Sequence, residues 1–362
     1  MKNRAPRARI ADVAVEAGVS KSTVSIAFNS PERLHPDTAA RIRAVADALG
    51  YKPHPVARML AQRRTLTIGI LTPQALRVAF LNPFFSDFSH GVASVAEEFN
   101  YQLLFVSPLR GSLARAAGRA TVDGFVVIGL GEEHPEVGQI RAAGLPIVLV
   151  DSAAFPEHSS IEVDDTAGAA AAARHLLDLG HTEYLVIAVE PPDQAGRDGR
   201  TVGDRGGVTG RRLAGYRAAL DAAGLALPDE RVIEVPATFA GGEAAVARAI
   251  EDGIGFTAIL AMSDAMAVGA IHGVQMRGLR VPDDVSVVGF DDIEGAEYSN
   301  PPLTTIHQPI AEKGAEAVRL LMAAIEGSNE PPEHRRFDTR LVIRNSTTRP
   351  PAGRTTVQRR EV

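Results

Sequence analysis

The chain has 362 residues, 45% of them apolar, no cysteine and a formal net charge of −6. That is enough for two or three domains with real cores, and it excludes disulfides, thiolate metal sites and a Cys nucleophile. No stretch approaches the ~20 uninterrupted apolar residues of a membrane span, and no apolar leader run precedes the first helical pattern, so a soluble, cytoplasmic protein is expected. The charge is unevenly spread: residues 1–64 hold twelve Lys or Arg against five Asp or Glu, a net +7, which leaves −13 for the remainder. A cationic head on an acidic body is attracted to phosphate by one end only.

The head reads as helix, turn, helix. In RIADVAVEAGVSKSTVSIAFN, Ile10, Val13, Ala14 and Ala17 recur at helical spacing, Gly18 can turn at positive φ, and Ser20 can cap a second helix beginning near Lys21. With Val24, Ala27 and Phe28 turned inward, Lys21, Ser22 and Ser25 are left outside, short polar and cationic groups of the kind that enter a DNA major groove. An ordinary helical hairpin is the competing reading, and the local excess of positive charge favours the DNA-binding one. A third helix is expected over 37–49, ended by Gly50. This gives a headpiece over 1–52.

Residues 53–65 form a linker. Its prolines at 53 and 55 favour an extended start, and the short helix that follows, near Val56–Ala61, is below the ~12–15 residues that hold a helix in water. It should fray until something holds it. From Leu66 onward, apolar strand runs near 66–72, 102–107, 123–128, 146–150, 160–163, 184–188, 231–235, 257–261, 285–289, 303–306 and 340–344 alternate with amphipathic helices. The alternation predicts an α/β core over 66–345: two lobes of doubly wound parallel sheet, lobe 1 about 66–164 and 291–326, lobe 2 about 165–290 and 327–345. Ligands of such folds sit at the carboxyl ends of strands, here between the lobes. The Gly- and charge-rich stretch 190–210 reads as a surface loop and 346–362 as a disordered tail.

At this point the chain resembles the LacI/GalR family of bacterial transcription regulators. The resemblance is carried by IADVAVEAGVSKSTVSIAFN, LGYKPHPVARMLA, NPFFSDFSHGVASVAEEFNYQLL, VDGFVVIG, VDDTAGAAAAARHLLDLGH, AILAMSDAMAVGAI and RVPDDVSVVGFDDIEGAEYSNPPLTTIHQPI, in that order. It implies a DNA-binding headpiece, a hinge helix and a two-lobed core like a periplasmic sugar-binding protein, joined as a homodimer on a near-palindromic operator. By matching position, Lys21 and Ser22 would read bases, with Ser20, Ser25 and Asn29 nearer the phosphates; Arg9 and Arg33 are further expected DNA contacts. Ile26 stands where many relatives place Arg, and can touch only an apolar group such as a thymine methyl. Leu60 would wedge into the minor groove, supported by Val56, Ala57 and Arg58, with His54 a further expected DNA contact.

The same resemblance places Phe84, Phe85, Asp151, Arg212, Phe239, Ser263 and Asp291 around a small polar effector, a sugar or related metabolite. Several have a plainer reading, either Phe as core and Asp151 and Asp291 as helix caps at strand ends, and Ser263 stands where relatives often carry Asn or Asp. No cofactor, metal or catalytic set is expected. Val127–Gly131 is an incomplete dinucleotide fingerprint, the acidic run Asp291, Asp292, Glu294 and Glu297 reads as a strand-end loop, and no GxSxG elbow occurs. A ligand-controlled transcription regulator, a repressor on this reading, is therefore expected ahead of a transport-type binding protein or an enzyme.

Overall fold

Among the described residues of the N-terminal unit stand three α-helices, α1 (Ile10–Glu16), α2 (Lys21–Asn29) and α3 (Pro36–Ala48). The computed structural model describes residues 8–52, 64–131, 134, 136–142, 144–152, 155–191 and 206–351. It separates into two units, Met1–Thr65 and Leu66–Val362. In the first, Val13, Ala14 and Ala17 pack on Val24, Ala27, Ile42 and Ala46, with Phe28 edge-on to Tyr51 at 5.8 Å. Gly18 sits at φ +65° between α1 and α2, and the Ser20 Oγ accepts from the Thr23 backbone N–H at 3.1 Å to cap α2.

The second unit runs β1 (Thr67–Leu71), α4 (Leu76–Ala79), α5 (Pro83–Glu98), β2 (Gln102–Val106), α6 (Leu113–Ala117), β3 (Gly124–Ile128), α7 (Val137–Arg141), β4 (Ile147–Val150) and β5 (Ser159–Val163). It continues through α8 (Asp165–Asp178), β6 (Tyr184–Val189), α9 (Gly207–Ala222), β7 (Val232–Val235), α10 (Phe239–Glu251), β8 (Ala258–Ala261), α11 (Asp264–Gln275) and β9 (Ser286–Asp291). The last elements are α12 (Glu294–Tyr298), β10 (Thr304–His307), α13 (Ile310–Ile325), β11 (His334–Phe337) and β12 (Arg340–Val342). Two sheets result. The first, β11-β5-β4-β3-β1-β2, is wholly parallel; the second, β12-β10-β9-β8-β6-β7, is parallel except for β12. Strands β3, β4, β8 and β9 are buried along their whole length, the continuous Val/Ile/Leu burial of a sheet covered on both faces.

Helices cross where glycine removes the side chain. A Cβ on Gly91 of α5 would overlap the Ala311 carbonyl of α13, and one on Gly242 of α10 would overlap the Met266 carbonyl of α11. Each lobe therefore packs backbone against backbone.

The lobe boundaries differ from those expected. β10 pairs with β9, so residues 291–307 belong to the second lobe, and the chain returns to the first only at 308–309, where α13 packs on β3, β4 and β5. β11 pairs with β5, so the first lobe keeps the chain through Phe337 before β12 crosses again. β11 is absent from the expected strands because His334, Arg335 and Arg336 are exposed on an edge strand and give no apolar alternation. The tail is also ordered further than expected. Ser346 is fully buried, its Oγ accepting from Thr304 N at 2.8 Å and donating to Val287 O at 2.6 Å. Thr347 meets His175 and Thr348 meets His181 and Ser286. Such a strap is held by hydrogen bonds rather than apolar contact, so periodicity does not reveal it; 352–362 lie outside the described residues. Most of the expected 190–210 loop also lies outside them, although α9 claims its last four positions, 207–210.

Gly91→Ala should lower the unfolding free energy of the core by about 1–3 kcal/mol in urea titration. Gly138→Ala on α7, where a Cβ meets nothing within 4 Å, should be neutral or slightly stabilising. His181 is buried with Nδ1 2.9 Å from Thr257 Oγ1 and Nε2 2.9 Å from Thr348 O, and burial pushes its pKa below the ordinary value. The unfolded imidazole takes a proton more readily than the folded one, so its share of stability is present above about pH 6.5 and fades as the pH falls through that value. His181→Gln should flatten the loss of Tm on acidification, measured by calorimetry.

Candidate DNA-reading face and inter-lobe site

On α2, Val24 and Ala27 fix the inner face, which sets Lys21, Ser22, Ser25, Ile26 and Asn29 along the opposite side at helical spacing. Lys21 and Ser22 are exposed, as are Ser20, Arg9 and Arg33; Ser25, Ile26 and Asn29 are half-buried. Their orientations are held locally. Ser20 Oγ lies 2.6 Å from Ser22 Oγ, and Asn29 Nδ2 donates to Ser25 Oγ at 3.1 Å. Expected DNA contacts His54, Val56, Ala57, Arg58 and Leu60 lie outside the described residues.

In the core, a run of buried charges joins the two lobes. β4 ends into Asp151 and β9 ends at Asp291, both at positive φ (+48° and +129°), so each carboxylate is presented at the carboxyl edge of its sheet. Arg212 of α9, itself buried, donates from Nε to Asp165 Oδ1 at 2.8 Å and from NH1 to the Met262 carbonyl, and lies 3.9 Å from Asp291 Oδ1. Its guanidinium sits 3.5 Å above the Phe290 ring. Asp291 Oδ1 accepts from Gln308 Nε2 at 2.6 Å, and Gln308 Oε1 accepts from Lys313 Nζ at 2.7 Å. Lys313, 0% exposed, closes the series by donating to Asp151 Oδ2. The series thus crosses between lobes at the 308–309 passage.

Charge dictates this pairing, since a lone ion in such a place costs several kcal/mol. Burial would raise the Asp165 carboxyl, but Arg212 and Arg211 outweigh it and hold the pKa below the usual range. Asp291 goes the other way: burial raises it, and Arg212, Gln308 and Lys313 only partly compensate. Asp264, fully buried at the start of α11, is raised by burial and then by the charge of Asp291, and accepts from Ile293 N at 3.0 Å and from Thr305.

Of the expected effector residues, Asp151, Arg212 and Asp291 come together. Neither Asp caps a helix: their bonds go to Lys313 and Gln308. Phe84 stands beside them, its ring centroid 5.4 Å from Lys313 Nζ and stacked on Phe88 at 6.2 Å. Phe85 is buried among the core residues with Phe88, three residues on and so on the same inward face of α5. Ser263 accepts from Met266 N at 3.3 Å as the cap of α11, and Phe239 is 42% exposed at the first turn of α10. Sequence reading missed Asp165, Gln308 and Lys313. A signal existed for the last: Lys313 occupies the buried stripe Ile310, Gly314, Ala317, Val318, Leu321, where a charge has no place unless paired. A groove of about 570 Å³ also opens between Asp87 and His90 of α5 and Asp292, Glu294 and His307 of the second lobe; it shares only Gln308 with the charged series. Among the described residues no group of three or more His, Asp or Glu side chains forms a metal site, and no helix is long and apolar enough to cross a membrane.

Comparison with known proteins finds matches to both the head and the core. Residues 9–54 match the family of bacterial regulatory proteins, lacI family, and 173–347 match a periplasmic binding protein-like domain. The ribose operon repressor of Escherichia coli (strain K12) is 33% identical over 326 residues, 88% of this chain and 93% of that protein. The transcriptional regulator CelR–cellobiose complex is similar at TM-score 0.66 and 29% identity, over 94% of this chain and 100% of the other. The lac repressor dimer bound to operator and the anti-inducer ONPF reaches TM-score 0.76 at 26% identity, over 95% and 100%.

Arg212→Met strips Asp165 and Asp291 of their shared cation, and should cost the core about 3–5 kcal/mol in denaturant unfolding. Arg212→Lys, which keeps the charge but loses the fork, should cost less.

Proposed function

Because the chain belongs to the LacI family of bacterial regulatory proteins, it is a DNA-binding transcription regulator, and we propose that it is a cytoplasmic homodimeric repressor controlled by a sugar bound between the core lobes. The observation that carries this is the full-length correspondence to operator-binding and sugar-bound relatives, over 94–95% of the chain, combined with a headpiece of net +7 on a body of −13. Two headpieces would straddle a near-palindromic operator, and α2 would enter the major groove with Lys21 and Ser22 at base edges. Arg9, Ser20, Ser25, Asn29 and Arg33 would lie along the phosphates, and Ile26 against a thymine methyl. A helix near 56–61, too short to persist alone, would fold on the minor groove with Leu60 as its wedge.

The effector would lie against Phe84, Asp151, Arg212 and Asp291. It acts only through unequal affinity for the two arrangements of the lobes, and so shifts the operator-competent population. The pairing seen among Arg212, Asp165 and Asp291 supports a binding rather than a catalytic use, because every charge is committed to orienting another.

A mobility-shift titration against DNA from the gene's own neighbourhood tests the reading, with cellobiose and ribose as the first effectors. Salt-sensitive binding that one of the sugars changes is expected; no binding to any fragment, with or without sugar, would overturn it. Lys21→Ala should weaken specific binding about tenfold while leaving binding to random duplex nearly unchanged, since a base contact contributes ~1–3 kcal/mol of discrimination.

A further inference from the structure

Lys313 is the one residue in the charged series whose burial no local element demands. Its neighbours on the inner stripe of α13 are Ile310, Gly314, Ala317 and Val318, and an apolar side chain would continue that stripe. The ammonium instead sits fully out of solvent between Asp151 Oδ2 and Gln308 Oε1, with Phe84 covering it at 5.4 Å. The result is visible on Asp151. Its side chain is only 11% exposed, one oxygen is taken by Lys313, and the other, Oδ1, is buried with no protein partner. A buried acceptor left over at the carboxyl end of β4 costs free energy unless something donates to it.

We infer that Lys313 is a specificity-determining residue of the inter-lobe site: it pins the Asp151 carboxylate so that Oδ1 accepts a hydrogen bond from a ligand hydroxyl, and the site refuses a ligand that carries an anionic oxygen there. The inference rests on the inter-lobe sugar site proposed above. The charges nearby support it. Arg211 and Arg212 are both bound to Asp165, and Lys313 to Asp151, so among the described residues of the series no cation is left unengaged to receive a phosphate or carboxylate. Asp291, facing the same side chains through Gln308, adds a further negative group. A hydroxyl satisfies Oδ1; a carboxylate or phosphate brought to the same place meets two like charges. Lys313 acts through Asp151 and is a positioning residue.

The test uses the full-length protein and calorimetric titration with matched pairs: D-glucose and D-glucuronate, D-glucose and D-glucose 6-phosphate, D-ribose and D-ribose 5-phosphate, with cellobiose alone. The expected result is that a neutral member binds and its anionic partner binds at least about tenfold more weakly, as for a site built around one donor–acceptor pair. Asp151→Asn should narrow that ratio, Lys313→Met should weaken the neutral ligand about tenfold, and Lys313→Arg should restore it to within a few fold. An anionic member that binds better than its neutral partner overturns the inference and leaves the sugar-responsive reading standing, as does an unchanged ratio in Asp151→Asn. Absence of binding by all six compounds removes the sugar-responsive reading and this inference together.

Discussion

A guanidinium and an ammonium withdrawn from water cannot be left unanswered, and much of the core's arrangement follows from that rule. Arg212 needs Asp165 and has Asp291 within reach; Lys313 needs Asp151 and finds Gln308. Those partners stand on different sheets, so satisfying them ties the carboxyl edges of both lobes to one another. The positive φ values of Asp151 and Asp291 belong to the same account, since a strained backbone at a strand end persists only when its side chain is held elsewhere. Behind the charges, helix pairs closed on glycine leave little room for the interior of a lobe to give. Adjustment is then confined to the contacts between lobes.

That division suits a regulator. A ligand of modest size has limited binding energy, and it shifts a population most when the energy acts on one coordinate instead of many soft ones. The headpiece contributes differently. Its core is seven small or branched apolar residues, enough to fix three short helices and to hold α2 with its polar side outward. On the proposed reading, affinity for the duplex would come from the cationic surplus of that end and discrimination from a few side chains on α2, so the two could be altered separately.

Much of this was legible in the sequence, for reasons that differ by element. α1 and α2 announced themselves because their inward residues repeat at helical spacing and Gly18 and Ser20 have few alternative uses; both play the expected parts. The central strands were legible because burial on both faces leaves unbroken runs of Val, Ile and Leu. What failed was held by other forces. β11 is polar and found only by its partner β5, the strap at 345–348 is sewn down by hydroxyls and carbonyls, and the lobe passages at 308–309 and 338–339 depend on which strand recruits which neighbour. At the inter-lobe site, Asp151, Arg212 and Asp291 came from the family resemblance and do converge. Phe85 went to the core, and Ser263 to a helix cap. Lys313 went unnoticed because a lysine in an amphipathic helix is ordinarily taken as solvated.

Among the described residues the chain passes between the lobes at three places, after β5, after β10 and between β11 and β12, and all three leave from strands at or next to the same edge of each sheet; Thr339 Oγ1 even donates to the Asp164 carbonyl across two of them, at 3.3 Å. Three parallel tethers along one side act mechanically as a door seam does: they resist shear and torsion of one panel against the other while leaving a single swing free. Whatever closes on the panels' open margin therefore reports through an angle, and intermediate twisted postures are denied to it by covalent bonds instead of by weak contacts.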